Sequence, residues 1–173
     1  MIVCHTAVKI IEPSLQYQQA YQHYIERLGD EERYPFVLDY DSTDFAQYIA
    51  LMQDLKDGKV TGKVASSTFW LMDGEQILGV SNLRHYLDDS IREIGGHIGL
   101  GISPELRGQG LSKRLLQLTL DKAEQLGISC VHLHCYQHNL ASNNMIRACQ
   151  GQLDSVVEDA SGTVINRYLI TVA

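Results

Sequence analysis

The sequence predicts an α/β fold of the α+β kind: a central mixed, mostly antiparallel sheet of about seven strands flanked by about four helices. Three observations carry this. First, an apolar run with Ile98, Leu100 and Ile102 breaks at Pro104 and passes through Arg107-Gly108-Gln109-Gly110 into a helical pattern. In that pattern Leu111, Leu115, Leu116, Leu118, Ala123 and Leu126 recur at three- and four-residue steps. Second, residues 129–136 (SCVHLHCY) alternate as a strand, which completes a βαβ unit whose strands should be parallel. Third, residues 67–72 (STFWLM) and 76–84 (QILGVSNLR) flank Asp73-Gly74, the signature of a hairpin.

The remaining elements follow in order. Residues 2–11 alternate imperfectly and predict a first strand. Pro13 opens a helix over 14–28, and its stripe of Tyr17, Tyr21 and Tyr24 suits packing better than a pocket lining. Residues 29–40 form a loop. A second helix spans about 43–56, capped by Ser42 or Thr43, with Phe45, Tyr48, Ile49, Met52 and Leu55 inward. After the hairpin, 85–90 is a loop and 93–103 the third strand of a meander. Gly95, Gly96, Gly99 and Gly101 in that strand predict a bulge, or a place where another backbone or a ligand comes very close. Gly127 stops the long helix. Residues 139–149 make a short helix ended by Gly151, and 153–157 and 164–172 close the chain as strands around Ser161-Gly162. With no repeat, linker or low-complexity tract, residues 1–173 are expected to form one domain.

Composition narrows the function. The chain is 45% apolar and 20% charged, as in a soluble globular protein. A net charge of -7 argues against a nucleic-acid partner and mildly favours a cationic acceptor such as an amine. No apolar run approaches membrane-spanning length, and residues 1–11 lack the apolar centre of a signal peptide. Cys4, Cys130, Cys135 and Cys149 are scattered, which fits reduced thiols in a cytoplasmic protein, with Cys130 and Cys135 as core residues.

The chemistry concentrates at 97–112. A strand, a glycine turn and a helix leave backbone N–H groups unpaired at a helix N-terminus, where the dipole favours an anion, above all a phosphate. Gly108 and Gly110 allow close approach of an oxygen ligand. The turn lacks the G-K-[ST] ending of a P-loop and the third glycine of a dinucleotide fingerprint. Instead SPELRGQGLS resembles the acetyl-CoA pyrophosphate loop of the GNAT superfamily of N-acetyltransferases, [Q/R]-x-x-G-x-[G/A]. Arg107, Gly108, Gln109 and Gly110 fit it, and Ser112 stands where the family has Gly or Ala.

The element order is similar to the GNAT fold along almost the whole chain. Asn139-Leu140-Ala141-Ser142 occupies the place of the family's N-x-x-[A/S] motif. The strand GGHIGLGI and the closing Asn166-Arg167-Tyr168 resemble a bacterial subgroup of predicted acetyltransferases. The resemblance implies acetyl-CoA as co-substrate and the amine of a small molecule or peptide as acceptor, and leaves a homodimer open. It implies cofactor contacts from Gly101, Ile102, Ser103, Arg107, Gly108, Gln109, Gly110, Leu111, Ser112, Asn139 and Ser142. In that fold the strand before the loop splays from its neighbour, freeing N–H groups near 101–103 for the acetyl carbonyl and pantetheine.

Acetyl transfer to an amine needs a proton acceptor, a polarised thioester oxygen and a protonated or tolerated thiolate. Many family members protonate the thiolate with a Tyr on the last helix, seven residues after the Asn; here that residue is Ile146. Nearby Cys149 suits a small buried thiol better than a proton donor. The candidate bases are Glu93, His97 and His85. Glu93 is favoured, through water, because a carboxylate also attracts the cationic amine. His132 and His134 alternate on one strand, but beyond Cys130 and Cys135 no carboxylate or Cys stands at ligand spacing, and no metal is expected. A non-catalytic acetyl-CoA sensor on the same fold is the alternative function, supported by the missing tyrosine.

Overall fold

A computed structural model describes residues 7–172. Cys4 and the beginning of the predicted first strand lie outside the described residues. The chain orders as β1 (Lys9–Ile11), α1 (Gln18–Leu28), α2 (Phe45–Lys56), β2 (Ser66–Asp73), β3 (Gln76–Arg84), α3 (Asp89–Glu93), β4 (Ile98–Ile102), α4 (Leu111–Gln125), β5 (Cys130–Tyr136), α5 (Leu140–Ala148), β6 (Gln152–Glu158) and β7 (Val164–Thr171). Seven strands match the expectation. The fifth helix is the short α3, which takes the end of the loop expected over 85–90 and the first residue of the strand expected from 93.

The strands form two antiparallel sheets, β1-β2-β3-β4 and β5-β7-β6. The parallel pairing expected of β4 and β5 is not made. Among the described residues they meet just before β4 begins and midway along β5, through His97 N–H to His132 O at 2.8 Å and a bridge between Gly96 and Leu133. Beyond that contact they diverge.

β2 and β3 are buried on both faces, because helices cover both sides of the first sheet. On one side Tyr21 and Tyr24 of α1 and Phe45, Tyr48, Met52 and Leu55 of α2 pack on Trp70, Met72 and Val80. The Tyr21 and Trp70 rings stack at 5.4 Å, and the stripe packs as expected, with Tyr21 and Tyr24 in the core and Tyr17 half-buried against it. On the other side Leu116, Leu120 and Ala123 of α4 pack with Phe69, Leu83 and Ile98. Val131, Leu133, Tyr168 and Ile170 of the second sheet join that same cluster. α4 is therefore the hydrophobic bridge between the sheets.

Local chemistry explains the shifted boundaries. α2 starts two residues later than expected because Asp44, directly before Phe45, accepts from both Gln47 N–H (3.1 Å) and Gln47 Nε2 (2.8 Å). Asp88 likewise caps α3 through Ile91 N–H at 2.9 Å. Gly95 and Gly96, at φ of 132° and 70°, then turn the chain, so the strand begins at Ile98 rather than at 93. Cys130 is exposed rather than core, since it opens β5 on the face away from Val131 and Leu133.

The glycines of this region serve close backbone approach, not a bulge: the β3–β4 register runs without a shift. A Cβ on Gly96 would sit 2.6 Å from His132 O, and one on Gly101 would sit 2.6 Å from Tyr34 O. One on Gly99 would press on the Tyr34 ring at 3.3 Å. The 29–35 loop thus lies directly on β4. Gly101→Ala is expected to cost ~1–3 kcal/mol by overpacking against that backbone, read as a lower urea midpoint with an unchanged denaturant slope.

Candidate active site

Where β4 and β5 diverge, a cavity of about 640 Å³ opens. Leu100, Gly101 and Ile102 wall one side, and His134, Cys135 and Tyr136 the other. Since His97 and His132 touch and both strands then run on to opposite walls, the two form a fork with its apex at the histidines. The N-termini of α4 and α5 close one end of the cavity, and the loop bearing Glu31, Glu32 and Tyr34 borders it.

One edge of β4 lacks a partner strand. Ser103 N–H donates to Leu78 O at 2.9 Å, and Arg84 N–H donates to His97 O at 2.8 Å. With Val80 opposite Gly101, antiparallel alternation turns the N–H groups of 101 and 103 towards β3. It turns those of Leu100 and Ile102 into the fork. Of the three expected donors only Ile102 is available, and Leu100 was missed. Ser103 is fully buried, its N–H is committed and its hydroxyl donates to Glu105 at 2.8 Å, so it is no part of this wall.

The loop has the geometry of an anion cradle. Gly110 holds a left-handed conformation (φ 80°) at the start of α4, and no side chain caps that helix. Among the described residues the N–H groups from Gly108 to Lys113 meet no acceptor. No atom lies within 4 Å of a Cβ built on Gly108 or Gly110, so the approach is open. Donor set, open space and helix dipole fit a pyrophosphate. Arg107, Gly108, Leu111 and Ser112 line the cavity, whereas Gln109 and Gly110 shape the turn behind them.

The Arg107 side chain is not free for an anion. Its Nε donates to Ile102 O at 3.2 Å, and its Nη2 pairs with Glu31 at 2.6 Å. This pairing holds the Glu31 carboxyl below its ordinary range. No sequence signal marked Glu31, whose partner lies 76 positions downstream.

At α5, Asn139 Oδ1 accepts from Ser142 N–H at 3.1 Å, so Asn139 is the predicted cap, and both residues line the cavity. Asn143, which sequence reasoning passed over, fixes the preceding turn. Its Nδ2 donates to Tyr136 O (3.0 Å) and Asn139 O (2.7 Å). Its Oδ1 accepts from Tyr168 OH (2.6 Å) and Asn166 Nδ2 (2.7 Å). The Asn166-Arg167-Tyr168 segment thereby supports the α5 end of the site from behind.

None of the three candidate bases lines the cavity. Glu93 ends α3 with its side chain exposed, because the chain at 89–93 is helical rather than extended. His85 lies at the far end of β3, with Nε2 2.8 Å from Ser67 Oγ. His97 is 7% exposed, and its Nδ1 accepts from His132 N–H at 2.9 Å. That bond places the ring proton on Nε2 and makes His97 a clasp at the fork's apex. Burial, reinforced by His132, Arg92 and Arg84, pushes its pKa down to about 4. Ile146 is 2% exposed within the core, and Cys149 is buried with its thiol pKa raised by burial, so neither is a proton donor in the cavity.

His134, considered from sequence only as a metal ligand, does line the cavity. Its Nδ1 accepts from Gly95 N–H at 2.9 Å, and burial with nearby Arg167 pushes its pKa down to about 4. Among the described residues no group of three or more His, Cys, Asp or Glu side chains is placed to hold a metal ion.

The fork, the unpaired strand edge and the uncapped helix N-terminus define an acyltransferase-type site. The Acetyltransferase (GNAT) family model matches residues 12–151, and the chain belongs to that family. No curated protein sequence matches the chain. Among solved structures it is similar to an acetyl transferase from Salmonella typhimurium that modifies the N-terminal serine of ribosomal protein L7/L12, with 14% identity, 99% of each chain covered and a TM-score of 0.72. It is similar to a ribosomal-protein-S5-alanine acetyltransferase from Vibrio fischeri, at 12% identity, covering 95% of this chain and 92% of that one, with a TM-score of 0.72. It is also similar to the microcin C7 self-immunity acetyltransferase, seen with acetyl-CoA and AMP, at 16% identity, 96% and 93% coverage and a TM-score of 0.69. At such identities these likenesses establish the shared fold.

Folding depresses His97 and His134, so the unfolded chain takes up protons more readily than the folded one. Their contribution to stability is complete above about pH 6.5, the unfolded value, and is lost as pH falls towards about 4. Urea unfolding at pH 5 should show roughly 2–4 kcal/mol less stability than at pH 7. Replacing either histidine by Asn, which keeps an acceptor near the Nδ1 position, should reduce that loss.

Proposed function

We propose that this chain, as one domain, moves an acetyl group from acetyl-CoA to a primary amine of a small molecule or peptide by direct attack on the thioester. The observation that carries this is the continuity of the site: the open β4 edge leads to the uncapped start of α4. Acetyl-CoA supplies the electrophilic thioester carbon when bound. The N–H groups of Gly108 to Ser112 hold the pyrophosphate, and Asn139 and Ser142 border the same ligand from α5. Leu100 and Ile102 offer their free N–H groups to the pantetheine and the acetyl oxygen, where developing negative charge needs donors.

For the proton, Glu32 replaces the candidates that the fold removed. Glu31 is committed to Arg107, and Asp159 accepts from Ser161 and Thr163 N–H groups at 2.9 Å. The Glu32 carboxylate lines the cavity and makes no hydrogen bond or ion pair among the described residues. It can attract a cationic amine and take its proton through water. Free Cys130, Cys135 and Cys149 are consistent with a reducing, cytoplasmic setting. The buried Ile146 in place of a family tyrosine keeps one second reading in play, an acetyl-CoA sensor that binds without turnover.

Two measurements test this. Gly110→Val should weaken acetyl-CoA binding at least about tenfold by calorimetry, because a branched side chain is strained at a left-handed position and crowds the cradle. Unchanged affinity would remove the loop from the site. Glu32→Gln should lower turnover about a hundredfold with acetyl-CoA affinity intact. Tight binding by the unaltered protein, with no CoA released across a panel of amines, would establish the sensor instead.

A further inference from the structure

His134 carries a polar atom that the proposed transfer does not use. The residue is 8% exposed and lies on the cavity wall with Ile94, Gly95 and Tyr34. Its Nε2 is buried and has no hydrogen-bond partner. Because Nδ1 accepts the Gly95 N–H, the ring proton must sit on Nε2. An imidazole with a pKa of about 4 stays neutral at working pH, so this group is a donor and not a base. A buried N–H without an acceptor is costly, and an oxygen brought to the cavity by a bound molecule relieves that cost.

We infer that His134 Nε2–H is a specificity element that donates to an oxygen of the acceptor adjoining its amine. This rests on the acetyl-transfer reading above and names the kind of acceptor it favours. The oxygen is an uncharged carbonyl of the kind in an α-amino amide. A neutral donor satisfies a carbonyl oxygen fully, whereas an acceptor carboxylate would face the Glu31, Glu32 and Asp159 side chains on the same cavity. An acceptor lacking the oxygen would bury its alkyl group against an unsatisfied N–H and be discriminated against for that reason. Ile94, Tyr34 and Tyr136 provide apolar and aromatic surface for the rest of such an acceptor.

The test uses matched amines, phenylalaninamide against phenethylamine and alaninamide against isopropylamine, each with acetyl-CoA and the full-length chain. The unaltered protein should prefer the carboxamide of each pair at least about tenfold in kcat/KM. His134→Asn keeps an acceptor for Gly95 N–H but cannot reach the Nε2 position. It should erase most of that preference while acetyl-CoA affinity and melting temperature stay near the original. His134→Gln carries a donor near the Nε2 position but cannot satisfy Gly95, and should lower melting temperature while keeping part of the preference. Equal kcat/KM for both members of each pair in the unaltered protein would overturn the inference without touching acetyl transfer itself. So would a preference that survives His134→Asn, or one that follows melting temperature alone through both variants, since that would make His134 only a clasp. Failure of the unaltered protein to acetylate any amine would instead overturn the transfer reading, and this inference with it.

Discussion

The site depends on one contact, the meeting of β4 and β5 at a single point. His97 N–H reaches His132 O, and His132 N–H returns to His97 Nδ1. Gly95 N–H reaches His134 Nδ1 beside them. These bonds join two sheets that also share the apolar cluster under α4. Had the strands paired along their length, Leu100 and Ile102 would spend their N–H groups on β5 and no cavity would open. Had they not met at all, nothing polar would set the angle of the fork. The meeting requires neutral imidazoles, because a ring protonated on both nitrogens cannot accept a backbone N–H.

The same economy governs the loop at 29–35. Gly99 and Gly101 remove side chains from one face of β4, which lets Tyr34 lie against the strand. Glu31 then reaches Arg107 on the loop before α4. One segment therefore touches the strand edge, the cavity mouth and the anion cradle together. The Glu31–Arg107 pair is half exposed and contributes little to stability. Its consequence is positional, since it directs the arginine side chain away from the cradle and leaves the backbone donors to hold an anion.

The neighbours of this fold share only 12–16% of its residues in the structures compared above. That is what its physics permits. The scaffold asks for apolar residues at helical or alternating spacing and for glycines where backbones touch, and many sequences meet such demands. Within the scaffold of this chain Ile146 is core, and His134 holds an unpaired donor on the cavity wall.

What the sequence determined by itself was everything encoded locally. The hairpin at Asp73-Gly74, the long α4, its stop at Gly127 and the Asn139 cap follow from turn chemistry, periodicity and capping among residues a few positions apart. The anion loop was legible for the same reason, since its donors are consecutive backbone groups. The four glycines announced a close approach, yet they did not reveal that the visitors would be Tyr34 and His132. Only the tertiary structure decided which side chains line the cavity. Glu93 and His97 suit a continuous strand and His85 the loop before it, but a capped turn of helix carries Glu93 out and a backbone hydrogen bond engages His97. Glu31, Glu32 and His134 came in from segments far apart in the chain. Their roles depend on which groups face one another across the fork, and no local pattern records that.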